Sequence, residues 1–380
     1  MNSTIKLATR LFINGFRFQY LKTRGLPGRP QAVSLEITHN CVAKCIMCNI
    51  WKIPREVRDL SVEQWIRLLS SDLLSDLREL DITGGEPFLR DDLPRFFSGI
   101  CSLKEKHLRS LQSIAVTTNG FLTGRVLDCV SEILPGLRAA GLDLVMVCAM
   151  DAIGDIHESI RNYPDAWSKV NRTIQGLKGL REKFPNLLIG LKTTILPMNV
   201  GELKGIVRYA EENGLFTIIS PCIITDGRYL NPDRADDLIF REKDVREMIE
   251  FYGGGTFRWS IHGRTVLGYL RDGVTKKPCS CGFNYFFVRS TGELFLCPLI
   301  NIGMGNILHA PVENLFSSRE AFRFRRNVGR FPECRRCTEP GLERYALPYH
   351  GFSYLSILLT KGKQEFLELH GHMGLDKYLP

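Results

Sequence analysis

The stretch Cys41-Val42-Ala43-Lys44-Cys45-Ile46-Met47-Cys48 decides how the rest of the chain is read. Its three cysteines follow a CxxxCxxC spacing, tight enough to hold three irons of one iron–sulfur cluster. Thiolates are the natural ligands of Fe–S iron. Four cysteines saturate a cluster, whereas three leave one iron open to a small molecule. A catalytic zinc site keeps an open position, and a structural one closes it, by the same logic. The spacing on its own also suits part of a zinc ribbon, so other residues must separate the two metals.

Downstream stands Gly84-Gly85-Glu86-Pro87, a GGEP sequence. Together with the cysteine spacing it resembles the radical SAM superfamily and weighs against zinc for the first group. The resemblance implies a 4Fe–4S cluster on Cys41, Cys45 and Cys48 whose open iron takes the amino and carboxylate groups of S-adenosylmethionine (SAM). It implies an external one-electron reductant of flavodoxin or ferredoxin type. It also implies reductive cleavage of SAM to a 5′-deoxyadenosyl radical, which abstracts hydrogen from an unactivated substrate carbon. The aromatic residue that often precedes the third cysteine in the family is Met47 here, which also supplies apolar bulk.

The same resemblance marks cofactor-binding candidates: Gly84, Gly85, Glu86 and Pro87 for the methionine amino group, and Asn119, Asp151 and Asn199 at recurring strand-end positions. Where the family often has Ser-x-Asp-Gly, this chain has Ala149-Met150-Asp151-Ala152, so the serine contact is missing. The segment Asp155-Ile-His157-Glu-Ser-Ile-Arg161 resembles the stretch after that strand in relatives. By residue chemistry alone Asn119, Asp151 and Asn199 are also ordinary turn residues. Gly84 and Gly85 let backbone approach a ligand closely, since neither carries a Cβ. No catalytic acid or base is assigned.

Around these motifs the pattern alternates strand and helix. Strands are expected over 34–38, 80–83, 114–118, 142–148, 188–196 and 216–220. Helices are expected over 62–77, 94–105, 127–140 (interrupted at Pro135), 166–183 and 200–213. Ser61 with Gln64 three residues on is a capping box that opens the first of these. Alternation with short connections argues for parallel strands joined by right-handed crossovers. The motifs sit at strand ends, where α/β architectures gather ligands. The fold class is therefore α/β, a partial (β/α)6 barrel as in radical SAM cores, with a small C-terminal Fe–S extension built on a β-hairpin.

The chain divides into five parts: an amphipathic segment 1–32, a core 33–225, a connection 226–278, an auxiliary-cluster domain 279–340 and a tail 341–380. In the first, apolar residues from Ile5 to Leu21 alternate with basic ones up to a break at Gly25–Gly28. Such a helix packs on the body of the protein or lies on a membrane surface. In the connection, a helix is expected over 242–252 and a strand over 257–261, with His262 and Arg264 as substrate-contact candidates. His370 and His372 in the tail read as surface residues.

A second cysteine group comprises Cys279, Cys281, Cys297, Cys334 and Cys337. Two β-rich runs flank Ser290-Thr291-Gly292, a hairpin signal. The hairpin with Cys334-x-x-Cys337 after it resembles the SPASM and twitch extensions of radical SAM proteins, which hold auxiliary Fe–S clusters. No cysteine lies beyond Cys337, so the resemblance implies one auxiliary 4Fe–4S cluster, as in the shorter twitch form. Its ligands would be Cys297, Cys334, Cys337 and Cys279, with Cys281 as the alternative to Cys279. Four thiolates in paired spacing suit zinc as well. Cys101, Cys129, Cys148 and Cys222 lie in or near apolar segments and read as core thiols.

The chain has 380 residues, 44% of them hydrophobic, enough for a large core. No secretory signal is visible at residues 1–10. Twelve cysteines, mostly in clusters of metal-ligand spacing, read as a reducing cytoplasm rather than a disulfide framework. No apolar run approaches the ~20 residues of a membrane span, which leaves peripheral membrane contact. The net charge of +9 attracts anionic partners in general, yet no nucleic-acid module signature accompanies it.

The reading is an enzyme, an oxidoreductase or maturase. Its substrate is a peptide or protein, with a separate carrier supplying recognition, or else a small molecule such as a sugar, cyclitol or lipid precursor. Only 32 residues precede the core, too few for a winged-helix peptide-binding domain. A non-catalytic Fe–S electron-transfer or scaffold protein is the alternative from another class. Release of 5′-deoxyadenosine separates it from an enzyme.

Overall fold

Along the central strands one set of alternate residues is apolar and the other polar. Val33, Leu35, Leu80, Ile82, Ile114, Val116 and Leu144 have no exposed surface and face a layer of helices. The intervening Thr83, Thr117, Ala149, Lys192 and Ser220 line a cavity on the other face. This period-two pattern sets helices against one face of the sheet and the cavity against the other.

The computed structural model describes residues 3–255, 260–372 and 374–375. After α1 (Ser3–Arg24) come β1 (Ala32–Glu36), α2 (Val62–Leu69), β2 (Glu79–Thr83), α3 (Leu93–Lys106), β3 (Ser113–Thr118), α4 (Thr123–Ala139) and β4 (Asp143–Ala149). Then come α5 (Asp155–Arg161), α6 (Ala166–Lys183), β5 (Leu187–Ile195), α7 (Leu203–Glu212), β6 (Phe216–Pro221), α8 (Glu242–Gly253) and α9 (Ile261–Asp272). The C-terminal part has β7 (Tyr285–Val288), β8 (Glu293–Phe295), β9 (Gly303–Asn306), α10 (Val312–Phe316), α11 (Arg319–Asn327), α12 (Pro340–His350), α13 (Phe352–Lys361) and α14 (Lys363–His372).

One sheet has the order β6-β5-β4-β3-β2-β1-β7-β8-β9. The strands β1 to β6 pair in parallel, each beside its predecessor. The sheet is curved but not closed into a barrel, with β6 and β9 at its ends. Strand β7 joins β1 in parallel, and only then does the chain turn into the antiparallel hairpin β7–β8. The hairpin extension is thus a continuation of the core sheet.

Several elements differ from the sequence reading. The helix expected over 62–77 ends at Leu69, and a short 3-10 turn, Asp72–Leu74, comes after it. Pro135 lies inside α4 without interrupting it. Of the strand expected over 257–261, residues 257–259 lie outside the described residues. Its end is helical, since Ser260 caps α9 by accepting a hydrogen bond from the Gly263 amide. His370 is buried rather than exposed, its Nδ1 2.9 Å from the Tyr354 hydroxyl, while the side chain of His372 lies outside the described residues.

Helix α1 packs on the body of the protein. Leu11 and Phe18 are fully buried, and the Phe18 ring meets Phe283 at 5.2 Å and Tyr349 at 5.8 Å. Among the described residues no helix is long and apolar enough to cross a membrane.

Candidate active site

The cysteine loop leaves β1 and is pinned at once. The Thr38 hydroxyl donates to Asp59 Oδ2 at 2.5 Å, and His39 Nδ1 lies 2.8 Å from Asp59 Oδ1. The GGEP turn at the end of β2 closes on the same loop: the Gly85 amide donates to the Thr38 carbonyl and the Glu86 amide to the Asn40 carbonyl, both at 2.8 Å. A Cβ on Gly84 would stand 2.2 Å from the Thr38 carbonyl oxygen, and one on Gly85 2.1 Å from that of Asn40. These glycines therefore let two backbones meet.

Cys41, Cys45 and Cys48 line one cavity of about 1110 Å³ together with Gly84, Gly85 and Asn119. Apolar walls come from Met47, Ile50, Trp51 and Ile223. Burial raises the pKa of all three thiols, that of Cys48 to about 12. Metal coordination reverses this by deprotonating the thiol outright.

The other candidates stand behind the cavity wall. Glu86 is fully buried and accepts hydrogen bonds from the Thr118 hydroxyl at 2.8 Å and the amides of Asn119 at 2.8 Å and Phe88 at 3.2 Å. Burial pushes its carboxyl up to about 7 against these three donors. Pro87 opens the short 3-10 turn Pro87–Leu89 and is buried. Asp151, fully buried, accepts from the Thr194 amide at 2.9 Å and pairs with Arg161 at 2.7 Å. Asn199 donates to the carbonyls of Asp151 at 2.7 Å and Thr194 at 3.0 Å. Asp151 and Asn199 thus tie the ends of β4 and β5 together, and the cavity itself receives Arg161. That guanidinium lies over the cluster loop, its Nη1 3.7 Å from Cys45 Sγ.

The second group divides four to one. Cys279, Cys297, Cys334 and Cys337 line a separate cavity of about 490 Å³, and Cys281 is not on its wall. Cys281 is buried, and the neighbouring thiols of Cys279 and Cys297 push its pKa well above the ordinary range. The same neighbour lowers the Cys279 thiol against the effect of burial. Burial raises Cys334 to about 12 and Cys337 to about 11. In both groups the thiols are free and line the wall of a cavity.

Comparison with known proteins decides the family. The radical SAM superfamily model matches residues 35–210, and the iron-sulfur cluster-binding SPASM domain model matches residues 279–338. The chain is a radical SAM enzyme. It belongs to that superfamily and carries a SPASM domain. Such an enzyme takes a 4Fe–4S cluster and SAM together with auxiliary Fe–S chemistry, and the cysteines lining the two cavities are donors of the kind those groups need.

This radical SAM enzyme is 22% identical over 302 residues to the antilisterial bacteriocin subtilosin biosynthesis protein AlbA of Bacillus subtilis, covering 76% of this chain and 60% of AlbA. It is 21% identical to the sporulation killing factor maturation protein SkfB of the same species, covering 76% of this chain and 65% of SkfB. Against the AdoMet-dependent heme synthase of Methanosarcina barkeri identity is 23%, covering 77% of this chain and 84% of that protein. The chain therefore spans less than two thirds of AlbA and SkfB. In fold it is similar to Streptococcus suis SuiB bound to precursor peptide SuiA (TM-score 0.59, 13% identity, 90% of this chain and 76% of SuiB). It is also similar to anSMEcpe with bound AdoMet (TM-score 0.55, 18% identity, 92% of this chain and all of that one).

Sequence reasoning missed the charged part of the enzyme's cavity: Lys192, Arg228, Tyr229 and Glu339. Lys192 on β5 stands in register with Ala149, beside the position that lacks the family's serine. Arg228 donates to the Thr83 hydroxyl. Burial raises the Glu339 carboxyl, but the cations of Lys192, Arg228 and Lys277 outweigh it and hold it ionised. Cys222, read as a core thiol, lines the same cavity, because the chain leaves β6 at Pro221 toward the site. His262 does not line it, its Nε2 lying 2.8 Å from Ser220 Oγ, and Arg264 pairs with Glu365 at 3.3 Å. The available signal for Glu339 was its position two residues past the CxxC pair.

Proposed function

We propose that this enzyme matures a peptide or protein, abstracting hydrogen from an unactivated carbon while an auxiliary cluster accepts an electron from the product radical. Cys41, Cys45 and Cys48 would hold the SAM-binding cluster, and Cys279, Cys297, Cys334 and Cys337 one auxiliary 4Fe–4S cluster, with Cys281 as a thiol donor behind it. When bound, the first cluster and SAM supply the 5′-deoxyadenosyl radical, the electron coming from a reductant of flavodoxin or ferredoxin type.

The residues divide the remaining work. Gly84, Gly85 and Asn119 would bind SAM directly, with Glu86, Pro87, Asp151 and Asn199 fixing the strand ends that carry them. Arg161, held by Asp151, places a permanent positive charge for a carboxylate. Met47, Ile50, Trp51 and Ile223 keep water from a reactive radical. Lys192, Arg228 and Glu339 orient polar groups of the substrate so that the target carbon lies in near-attack geometry.

One observation carries the two-cluster mechanism: the segment Cys337-Thr338-Glu339-Pro340 starts on the wall of the auxiliary cavity and ends on that of the SAM cavity. The Thr338 hydroxyl donates to the Pro221 carbonyl at 3.3 Å and fixes that bridge to the end of β6. A substrate beside Glu339 is therefore adjacent to both sites. The peptide assignment is supported by the roles of AlbA in bacteriocin biosynthesis and of SkfB in killing-factor maturation. A small-molecule substrate is the second reading, favoured by the heme synthase, which is matched over 84% of its length against 60% for AlbA.

The test is iron and sulfide content together with SAM cleavage in anaerobically reconstituted protein. Wild type is expected to hold about eight irons and the Cys41/Cys45/Cys48→Ala variant about four, given two cubane clusters. Cys279→Ser is expected to lose auxiliary iron, whereas Cys281→Ser retains it. Only proteins with the first three cysteines release 5′-deoxyadenosine. Zinc in place of iron at the second group would remove the electron acceptor, and no 5′-deoxyadenosine from wild type would end the proposal. Cell-extract fractions that stimulate turnover should lose that effect on protease treatment if the substrate is a peptide. Stimulation that survives protease would assign a small molecule.

A further inference from the structure

Helix α1 buries one face and leaves the rest largely in water. Leu11, Gly15 and Phe18 are buried against the body. On another side Ile5, Phe12, Ile13, Phe16 and Tyr20 are each at least half exposed. At about 100° per residue they form one stripe roughly 22 Å long. Beside that stripe run Lys6, Arg10, Arg17 and Arg24, all exposed. On its other flank Phe352 of α13 packs edge-on against Phe12 at 5.9 Å and Phe16 at 5.0 Å. Leu359, 78% exposed, extends the apolar surface along α13.

Neither α1 nor α13 contains a single Asp or Glu. The nearby acid Glu365 on α14 is engaged by Arg264 at 3.3 Å and Lys361 at 3.8 Å. An apolar stripe bordered by cations and free of anions is what an anionic lipid surface recognises, through burial of apolar area plus electrostatic attraction. The charge pattern argues against a second copy of the chain, since a two-fold contact would set the same cations against each other. We propose that the α1–α13 face docks this enzyme on the surface of an anionic lipid bilayer without crossing it. Docking leaves the active site free: α12 has Pro340 on the cavity wall at one end and His350 against Phe18 at the other, about 15 Å apart along the helix.

The experiment is co-sedimentation of the reconstituted holoenzyme with vesicles of phosphatidylcholine alone or mixed with phosphatidylglycerol. Binding is expected only to the mixed vesicles, and raising the salt to high ionic strength should weaken it about tenfold. The Phe12→Ser/Ile13→Ser/Phe16→Ser variant should bind at least about tenfold more weakly, with iron content and 5′-deoxyadenosine release unchanged, because these side chains line neither cysteine cavity. Arg10→Gln/Arg17→Gln should flatten the salt dependence. Equal binding to both vesicle types, no binding, or unchanged binding by the apolar variant would overturn the proposal. So would a dimer that the same variant dissolves, which would assign the stripe to a second copy.

Discussion

At the scale of single residues, the site is held by groups that never touch its cavity. Asp151 is buried and serves by pairing with Arg161. His157 completes that corner, its Nδ1 accepting from the Asp151 amide at 3.1 Å. An imidazole used as an acceptor must stay neutral, and burial with the adjacent Arg161 lowers its pKa from 6.5 to about 2. The unfolded chain takes up a proton below about pH 6.5 while the folded one does not, so His157 supports stability above that pH. The support is lost as pH falls toward 2, at up to about 1.4 kcal/mol per pH unit. His157→Gln removes this titration. The difference in its unfolding midpoint between about pH 7 and pH 5 should be smaller than in wild type, and an equal difference would place the acid sensitivity elsewhere.

At the scale of elements, α1 shows how packing divides one amphipathic helix into faces of different worth. Phe18 fills a site between Phe283, Tyr349 and His350, and Phe18→Ala should cost ~3–5 kcal/mol in chemical denaturation. Phe16 lies two residues away and is 58% exposed, its ring held only edge-on by Phe12 and Phe352, so Phe16→Ala should cost about 0.5–1.5 kcal/mol. Comparable losses for both would mean that the outer face is packed in solution. Helix α2 starts where its sequence dictates. The Ser61 amide donates to Gln64 Oε1 at 2.8 Å and the Gln64 amide to Ser61 Oγ at 3.3 Å, closing the capping box. Its end was not legible, because Ser71 caps the next turn from outside the apolar period.

At the scale of the whole molecule, the pairing of β1 with β7 makes the auxiliary region part of the core sheet. A chain ending before Cys279 would expose the edge of β1, a strand buried along its full length, and unpaired buried-type edges aggregate. Such a truncation is expected to be insoluble or soluble only as oligomers in gel filtration. A stable monomer that still binds a cluster at Cys41, Cys45 and Cys48 would show the core to be independent. The alternation of strands and helices, three thiols spaced for one cluster and a second cysteine group were all legible along the chain. These rest on local spacing: three thiols within one short loop, a capping box, glycines at a strand end. Packing alone laid β7 onto the core sheet, set Cys281 off the wall of the cavity lined by the other four cysteines, and brought Lys192, Arg228, Cys222 and Glu339 to the cavity of Cys41, Cys45 and Cys48. These relations join residues far apart in the chain, and what brings them together is burial of apolar faces common to many strands, which carries no signature at any one position.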